Sequence, residues 1–161
     1  QIITSHVNDG LVLAKRHGLP DRVKAFIPEH HGTMRVSYFY HQALENAGGK
    51  RDLIDEDSFR YPGPKPSSKE TAIVMLADSA EARIRADRPN KPEKMDLLIR
   101  QTFNERLSDG QLDDCDLTLR ELEIIREAFL SVLQGIYHPR IKYPDLADQA
   151  REEVATSQAT G

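Results

Sequence analysis

The sequence predicts an all-α protein, and three observations support this fold class. Apolar residues recur at helical spacing in most segments of the 161-residue chain. Two segments begin with residue patterns that typically cap the N-terminus of a helix. No segment shows the strict alternation of apolar and polar residues that is typical of a half-buried strand. We therefore expect a helical bundle without a sheet.

The first third of the sequence predicts two helices and a turn. Residues 1–17 place apolar side chains at roughly helical spacing, and Gly18 ends this run. A short helix is expected over residues 21–27, just before a proline. The sequence His30-His31-Gly32-Thr33 follows and predicts a turn. The two adjacent histidines are thus expected at a helix end.

The middle of the sequence predicts two further helices separated by a proline-rich loop. Residues 36–47 repeat apolar positions at intervals of three and four, and a Gly-Gly pair ends them. The three prolines within residues 62–66 exclude a helix and favour an extended loop. The sequence Ser67-Ser68-Lys69-Glu70 is typical of a capping box in which Glu70 reaches back to the start of the helix. We expect a helix over residues 68–86.

The last third of the sequence predicts two helices and a polar tail. Pro89 and Pro92 separate the preceding helix from one over residues 92–107. The sequence Thr118-Leu119-Arg120-Glu121 is a second capping box, and the helix that it opens should extend to about residue 137. Residues 143–161 are polar and are expected to form a frayed tail.

Composition and charge exclude several classes of function. The formal net charge is −4 and no long block of Lys and Arg occurs, so we expect no partner that is a nucleic-acid polymer. No run of 18 apolar residues occurs, so the chain is expected to be soluble and to lack a membrane span. Cys115 is the one cysteine and has acidic neighbours, which indicates an incidental thiol in a reducing compartment.

Histidines are concentrated near the start of the chain, at His6, His17, His30 and His31. Two adjacent residues inside a helix point about 100° apart and could not reach one ion together. At a helix end the backbone can aim both imidazoles at one spot, so His30 and His31 are candidate metal ligands. Ordinary polar surface is the alternative. His6 joins them only if the first helix packs against the turn, whereas His17 and His41 are expected to face solvent.

An aspartate lies inside the most apolar of the predicted helices. Val74 and Met75 stand one turn before Asp78 and Ala82 one turn after it, so the carboxylate is expected on or beside the apolar face. A buried carboxylate is costly unless it is paired or bound to a metal. Asp78 is therefore a candidate metal ligand. The alternatives are a pairing with Arg83 or Arg85, or a boundary position that faces water.

A cationic group surrounds the proline-rich loop and the helix that follows, with the members Lys65, Lys69, Arg83, Arg85 and Arg88. Together with the N-terminus of that helix it could receive a phosphate, and a solvated charged face is the alternative. Thr33 adds a hydroxyl donor beside a glycine. The sequence contains no glycine-rich phosphate loop, no C-x-x-C zinc signature and no nucleophile elbow, so nucleophilic catalysis has no candidate.

The spaced motifs, taken together, resemble a known family. The motifs are His6, HHGT at residues 30–33, YFY at residues 38–40 and FRYPGPKPSSKETAIVMLADSAEA at residues 59–82. This combination resembles the cytosolic HD domain of the seven-transmembrane HD family of bacterial cyclic-di-AMP phosphodiesterases, the PgpH type. The resemblance covers residues 6–85.

The resemblance implies an all-helical HD domain with two metal ions that activate a bridging water to cleave a phosphodiester of the cyclic dinucleotide. It implies that His6, His30 and His31 are ligands of one metal and that Asp78 is a ligand of the other. Asp78 and Thr33 are the candidate catalytic residues. The candidate substrate-binding residues are Thr33, Ser79, Lys65 and Arg83. Iron or manganese is the expected metal, with zinc or nickel as alternatives, because three imidazoles suit several of these ions.

The sequence also departs from the family pattern. That pattern requires an earlier histidine and a His-Asp pair whose aspartate bridges the two metals, and no His-Asp pair occurs in this chain. We expect residues 1–142 to be the C-terminal portion of an HD domain, a bundle incomplete at its N-terminal side. The isolated chain is then expected to bind at most one metal and to have little or no phosphodiesterase activity. Exposed apolar surface should favour self-association by exchange of helices between copies.

Two alternative functions are open at this point. One is an HD phosphohydrolase that acts on another nucleotide, because metals and their ligands do not select the base. The other is a non-catalytic helical regulatory module in which the histidines have no role. The expected partner is a cyclic dinucleotide or another nucleotide phosphate. A membrane is expected as a partner only through other parts of the parent protein, with this chain on its cytoplasmic face.

Overall fold

Helices make up the regular structure of residues 2–137, the part of the chain that is described by a computed structural model, with side chains from Ser5 onward. The helices are α1 (Ile2–Arg16), α2 (Asp21–Lys24), α3 (Phe26–Glu29), α4 (Ser37–Asn46), α5 (Lys69–Asp87), α6 (Pro92–Ser108) and α7 (Leu119–Ile136). Two 3₁₀ turns lie at Arg51–Leu53 and Glu56–Phe59. Within residues 2–137 there is no strand, and Arg35 and Arg60 form one isolated antiparallel bridge. The all-α prediction is confirmed.

The main hydrophobic core lies between α5, α6 and α7, with α5 packed on α6 and α6 packed on α7. Its most deeply buried side chains are Met75, Leu76, Ile84 and Ile99. Phe103 of α6 meets Phe129 of α7 edge-to-face, with ring centroids 5.8 Å apart. The helix α1 packs against α3 instead, and α3 packs on α5. This arrangement brings the start of the chain to the turn that carries the paired histidines.

The capping box at α7 is confirmed, whereas the one at α5 is shifted by one residue. Thr118 and Glu121 cap each other reciprocally, as predicted. At α5 the capping pair is Ser68 and Thr71, with the Thr71 N–H donating to the Ser68 hydroxyl at 3.2 Å. The prediction that Glu70 reaches back is wrong, because the Thr71 hydroxyl accepts the Ser68 N–H instead. Ser67 makes a different contact, described below.

The predicted helix over residues 21–27 is in fact two short helices. The helices α2 and α3 are separated by Ala25, and α3 continues through Pro28 to Glu29. A proline is tolerated there because the first turn of a helix leaves its N–H groups without intrahelical acceptors. His30 to Thr33 then form the predicted turn.

No helix within residues 2–137 combines the length and the apolar character that crossing a membrane requires. The predicted frayed tail, residues 143–161, and the predicted domain boundary at residue 142 lie outside the described residues.

Candidate metal centre

Three imidazoles from two segments of the chain converge on one spot. His6 comes from α1, while His30 and His31 lie in the turn that follows α3. One ligand atom of each lies within 4.8 Å of the others. The Nε2 atoms of His6 and His31 are 2.9 Å apart. Two ligands at right angles around an ion bound at about 2.1 Å lie roughly 3.0 Å apart, so the residues present suit one metal ion.

Phe26 determines which nitrogen of His30 is available to a metal. The Nδ1 atom of His30 lies 2.9 Å from the backbone carbonyl oxygen of Phe26. A carbonyl oxygen only accepts, so Nδ1 carries the proton and donates it. The Nε2 atom then keeps its lone pair for coordination. Hydrogen bonds of this kind orient the rings of metal-binding histidines.

Burial keeps His31 neutral. Its ring stacks on Tyr61, with centroids 4.2 Å apart and planes at 16°. Burial, and to a smaller extent the neighbouring His30 and His6, lowers the pKa of His31 from 6.5 to about 4. Because the neutral imidazole is the form that binds metals, His31 is ready to coordinate at neutral pH.

A glycine allows the turn to pack closely against the bundle. Gly32 has a φ of +52°, in the left-handed region that favours glycine. A Cβ atom at this position would lie 2.5 Å from Gln111 Oε1 and 2.6 Å from Met75 Cε. The histidine turn is therefore seated directly on α5 and on the loop between α6 and α7.

A buried carboxylate connects the histidine turn to α5. Glu29 is 5% exposed and directly precedes His30. It accepts hydrogen bonds from the Ser67 N–H at 2.8 Å, from the Ser67 hydroxyl at 2.9 Å and from the Thr71 hydroxyl at 2.6 Å. These donors compensate the cost of burying the carboxylate, and they fix the backbone immediately before the paired histidines.

Thr33 is engaged by a fully buried glutamine. The Thr33 N–H donates to Gln111 Oε1 at 3.0 Å, and Gln111 Nε2 donates to the Thr33 hydroxyl at 3.0 Å. Gln111 Nε2 also donates to Asp109 at 2.9 Å. The backbone oxygen of Thr33 accepts a hydrogen bond from Arg60 at 3.0 Å. Thr33 thus anchors the far end of the histidine turn.

Asp78 lies outside the three-histidine group, and its side chain is exposed. Met75, three residues before Asp78, is fully buried, whereas Val74 and Ala82 are exposed. Asp78 thus stands beside the apolar face in a boundary position that faces water, which was one of the alternatives. The alternative pairing with Arg83 or Arg85 is not observed. Arg83 pairs with Glu105 and Arg85 with Glu81, and Asp78 makes no ion pair within residues 2–137.

Asp78 nevertheless lies near Tyr61, the residue that stacks on His31. Its negative charge, together with the larger effect of burial, raises the pKa of Tyr61, and Tyr61 stacks on His31. The same charge acts on Arg106 of α6. The structure thus brings His6, His30 and His31 together as one ligand group, whereas Asp78 stands outside this group and acts on Tyr61 through its charge.

The remaining predicted residues are held by partners of their own. Ser79 accepts a hydrogen bond from Arg106 Nε at 3.2 Å. Lys65 lies 3.6 Å from Asp113, in the loop between α6 and α7. Three members of the predicted cationic group form ion pairs: Lys69 with Glu121, Arg83 with Glu105 and Arg85 with Glu81. Much of this group therefore serves ion pairs between or within helices.

Sequence patterns alone do not identify four residues that shape the site: Glu29, Tyr61, Gln111 and Arg106. Each acts through contacts between distant segments. The bond between Thr33 and Gln111, for example, joins residues 78 positions apart. Of the four, only Tyr61 could have been noticed in the sequence. It is an aromatic residue in the motif at residues 59–82, which also contains the candidate ligand Asp78.

Comparison with known proteins finds relatives of this chain. No family model matches the sequence. An uncharacterized protein of Synechocystis sp. is 48% identical over 147 residues, which cover 91% of this chain and 18% of that protein. The cyclic-di-AMP phosphodiesterase PgpH of Bacillus subtilis is 41% identical over 150 residues, which cover 93% of this chain and 20% of that protein. The chain is homologous to one region of the PgpH phosphodiesterases.

A solved structure of the PgpH family agrees with this assignment. It is the crystal structure of the L. monocytogenes phosphodiesterase PgpH HD domain in complex with cyclic-di-AMP. The match has a TM-score of 0.78 at 38% identity and covers 88% of this chain and 65% of that chain. The HD-domain bundle predicted from the sequence is confirmed. HD phosphodiesterases are metal-dependent, which agrees with the three-histidine group. The chain spans about a fifth of the length of the curated PgpH relatives.

Proposed function

We propose that the chain is part of a metal-dependent phosphodiesterase that hydrolyses cyclic-di-AMP. The observation that carries this proposal is the convergence of His6, His30 and His31 in a PgpH-family HD domain. Relatives of the chain are named cyclic-di-AMP phosphodiesterases, and the similar L. monocytogenes structure holds cyclic-di-AMP. The substrate class is therefore a cyclic dinucleotide.

In the parent protein, the three histidines would hold one divalent ion, and Asp78 would be a ligand of a second. Bound metal ions would supply an activated water and neutralise charge on the phosphoryl oxygens. The Nδ1–H group of His30 donates a hydrogen bond to the carbonyl oxygen of Phe26, so His30 presents Nε2. His31 remains neutral, since Tyr61 covers one face of its ring.

Thr33, Ser79, Lys65 and Arg83 are the proposed substrate contacts. Ser79 and Arg83 lie one turn apart on α5, the helix that also carries Asp78. The Thr33 hydroxyl accepts a hydrogen bond from Gln111 at 3.0 Å, whereas its own proton makes only a longer contact of 3.3 Å to the same amide. That proton is the one that Thr33 offers to a phosphate oxygen.

Iron or manganese is the proposed metal, with zinc or nickel as alternatives, because imidazole ligands suit all of these ions. The sequence contains no His-Asp pair. We therefore propose that this chain binds at most one ion and hydrolyses cyclic-di-AMP slowly or not at all.

Metal binding tests the ligand set directly. Titration of the chain with Mn²⁺, followed by the EPR signal of the free ion, counts the bound ions. We expect at most one ion per chain, and an affinity lower by roughly tenfold or more in His6→Ala, His30→Ala and His31→Ala. His17→Ala and His41→Ala remove exposed histidines outside the group and should bind as the unchanged chain does. Unchanged affinity in all three ligand variants would contradict the assignment.

Calorimetric titration in the presence of Mn²⁺ tests the substrate. We expect the chain to bind cyclic-di-AMP more tightly than linear mononucleotides, and chromatography to detect little hydrolysis. Tight binding of another nucleotide without binding of cyclic-di-AMP would contradict the substrate assignment. Rapid hydrolysis would contradict the single-ion proposal.

We further propose that copies of the chain self-associate through α7, by exchange of helices. Three apolar side chains on one face of α7 are largely exposed, namely Ile124 (58%), Val132 (61%) and Ile136 (65%). Exposed apolar rows of this kind typically mark interaction surfaces. Light scattering should show a dimer or larger species, and Ile124→Glu with Val132→Glu should yield a monomer. A monomeric unchanged chain at high micromolar concentration would contradict this proposal.

We also propose that the parent protein holds this chain at the cytoplasmic face of a membrane. Cys115 is a free thiol, and free thiols are usual in a reducing compartment such as the cytoplasm. A reporter that is active only in the cytoplasm, fused to this region of the parent protein, should be active. An inactive reporter, with a periplasmic reporter active in the same position, would contradict the placement.

A further inference from the structure

One half-buried arginine lacks the carboxylate partner that the comparable arginines have. Five arginines in the described part of the chain are buried or half-buried: Arg35, Arg60, Arg83, Arg106 and Arg126. Four of them have a carboxylate oxygen within 4.0 Å, and Arg106 does not. Its one hydrogen bond to residues 2–137 runs from Nε to the Ser79 hydroxyl, at 3.2 Å.

The acids closest to Arg106 in sequence are committed to other cations. Glu105 pairs with Arg83, and Asp109 pairs with Arg60 at 3.2 Å. Burial lowers the pKa of the Arg106 guanidinium, an effect that the charge of Arg83 reinforces and the charges of Glu105 and Asp109 oppose. An arginine nevertheless stays protonated at any physiological pH. Arg106 is thus a partly desolvated cation without a charge partner.

Asp78 connects Arg106 to the candidate metal centre. Ser79, the acceptor for Arg106, follows Asp78 on α5. The charge of Asp78 acts both on Arg106 and on Tyr61, which stacks on His31. Asp78 acts on Arg106 through its charge, but no oxygen of its carboxylate lies within 4.0 Å of the guanidinium. Arg106 therefore lies beside Ser79, a proposed substrate contact, and close enough to Asp78 to be affected by its charge.

We propose that Arg106 binds a phosphate oxygen of the nucleotide substrate, with Ser79 holding the guanidinium in place. This inference rests on the proposed function and adds a residue to it. The planar fork of a guanidinium matches the oxygens of a phosphate. Ser79 occupies only Nε, which leaves both terminal nitrogens to donate to an anion. A half-buried cation without a partner is costly, and a bound phosphate would offset that cost.

The Nε–H signal of Arg106 in NMR spectra tests the contact in the unchanged chain. Inorganic phosphate is titrated in the presence of a chelator, so that no metal contributes. The Arg106 signal should shift in a saturable manner, while that of Arg100, an exposed arginine on the same helix, should not. An Arg106 signal that phosphate leaves unmoved would overturn the proposal.

Calorimetry with cyclic-di-AMP separates this proposal from the proposed function. Arg106→Gln should weaken binding by about tenfold, because it removes a charge-assisted contact. Arg106→Lys should weaken binding of cyclic-di-AMP by less than Arg106→Gln does. The control Arg100→Gln removes the same charge from α6 and should change binding less than about twofold. Circular dichroism confirms that each variant is folded.

The possible results of these two experiments have distinct meanings. Equal binding of cyclic-di-AMP to the unchanged chain and to folded Arg106→Gln would overturn the role of Arg106 and leave the proposed function in place. A phosphate shift at Arg106 in a chain that does not bind cyclic-di-AMP would support an anion site at Arg106 and count against cyclic-di-AMP as the substrate.

Discussion

The hydroxyl of Thr71 donates a 2.6 Å hydrogen bond to the buried carboxylate of Glu29. Glu29 immediately precedes His30 and His31, whereas Thr71 belongs to the first turn of α5. This contact therefore joins two of the candidate metal ligands to the helix that carries Asp78. The position of the paired imidazoles depends on a group that cannot itself reach the metal.

Replacing Glu29 should weaken both the fold and the metal centre. Glu29→Gln brings an amide N–H₂ group against donors from Ser67 and Thr71, so we expect a loss of about 2 kcal/mol in the free energy of unfolding. The Mn²⁺ affinity should fall by roughly tenfold or more, as for other residues that orient metal ligands. Urea unfolding and Mn²⁺ titration measure the two effects. Glu70→Gln changes an exposed carboxylate in the same region and should alter neither.

Gly32→Ala should destabilise the protein more than Gly18→Ala. Both glycines have positive φ angles, +52° and +65°, so both variants carry the backbone cost of about 1 kcal/mol. At Gly18 a Cβ atom meets nothing within 4 Å, whereas at Gly32 it clashes with Gln111 and Met75. We expect an additional loss of about 1–3 kcal/mol for Gly32→Ala, measured by urea unfolding. Equal losses would show that the turn can move away from α5.

The stability of the metal-free protein should depend on pH through His31. Its pKa is about 4 in the folded chain and 6.5 for the ordinary side chain, so the unfolded state binds more protons between these values. The stabilisation is complete above pH 6.5 and is lost as the pH falls towards 4. Because the ring is only half-buried, we expect a loss of about 1 kcal/mol. Urea unfolding with a chelator should show a smaller loss in His31→Gln, and an equal loss would contradict this assignment.

Tyr61 should control the pKa of His31 by covering its ring. Tyr61→Ala exposes the imidazole to water, so the pKa of His31 should rise from about 4 towards 6.5. Tyr61→Phe keeps the stacked ring and should leave that pKa close to its original value. NMR titration of the His31 ring signals measures both. A rise of the same size in the phenylalanine variant would assign the effect to the Tyr61 hydroxyl instead.

Helix positions could be predicted from the sequence because the apolar stripe of a helix is a local pattern. The prediction of residues 92–107 agrees with α6 at Pro92–Ser108, and the capping box at Thr118 is in place. The cap of α5 was placed one residue too early. Ser67 and Ser68 are both good caps, and the choice between them depends on Glu29, a distant residue that binds Ser67.

The candidate site could be predicted only in part. The approach of His6 to His30 and His31 depends on the packing of α1 on α3. Local sequence patterns do not predict this packing. The assignment of His6 as a ligand therefore came from the family resemblance. The sequence left open whether Asp78 is buried or faces water, because it stands at the boundary between buried Met75 and exposed Val74 and Ala82. The role proposed for Arg106 could not be predicted from the sequence, because the pairing of an arginine depends on which acids the tertiary fold brings near.

Gln111 connects the histidine turn to a distant part of the sequence. Its fully buried amide reaches Thr33 across 78 positions of sequence, from the loop that joins α6 to α7. The hydrogen bonds between Thr33 and Gln111 therefore tie the end of the histidine turn to this loop. A local opening of the loop would free Thr33, and with it the end of the turn that carries His30 and His31.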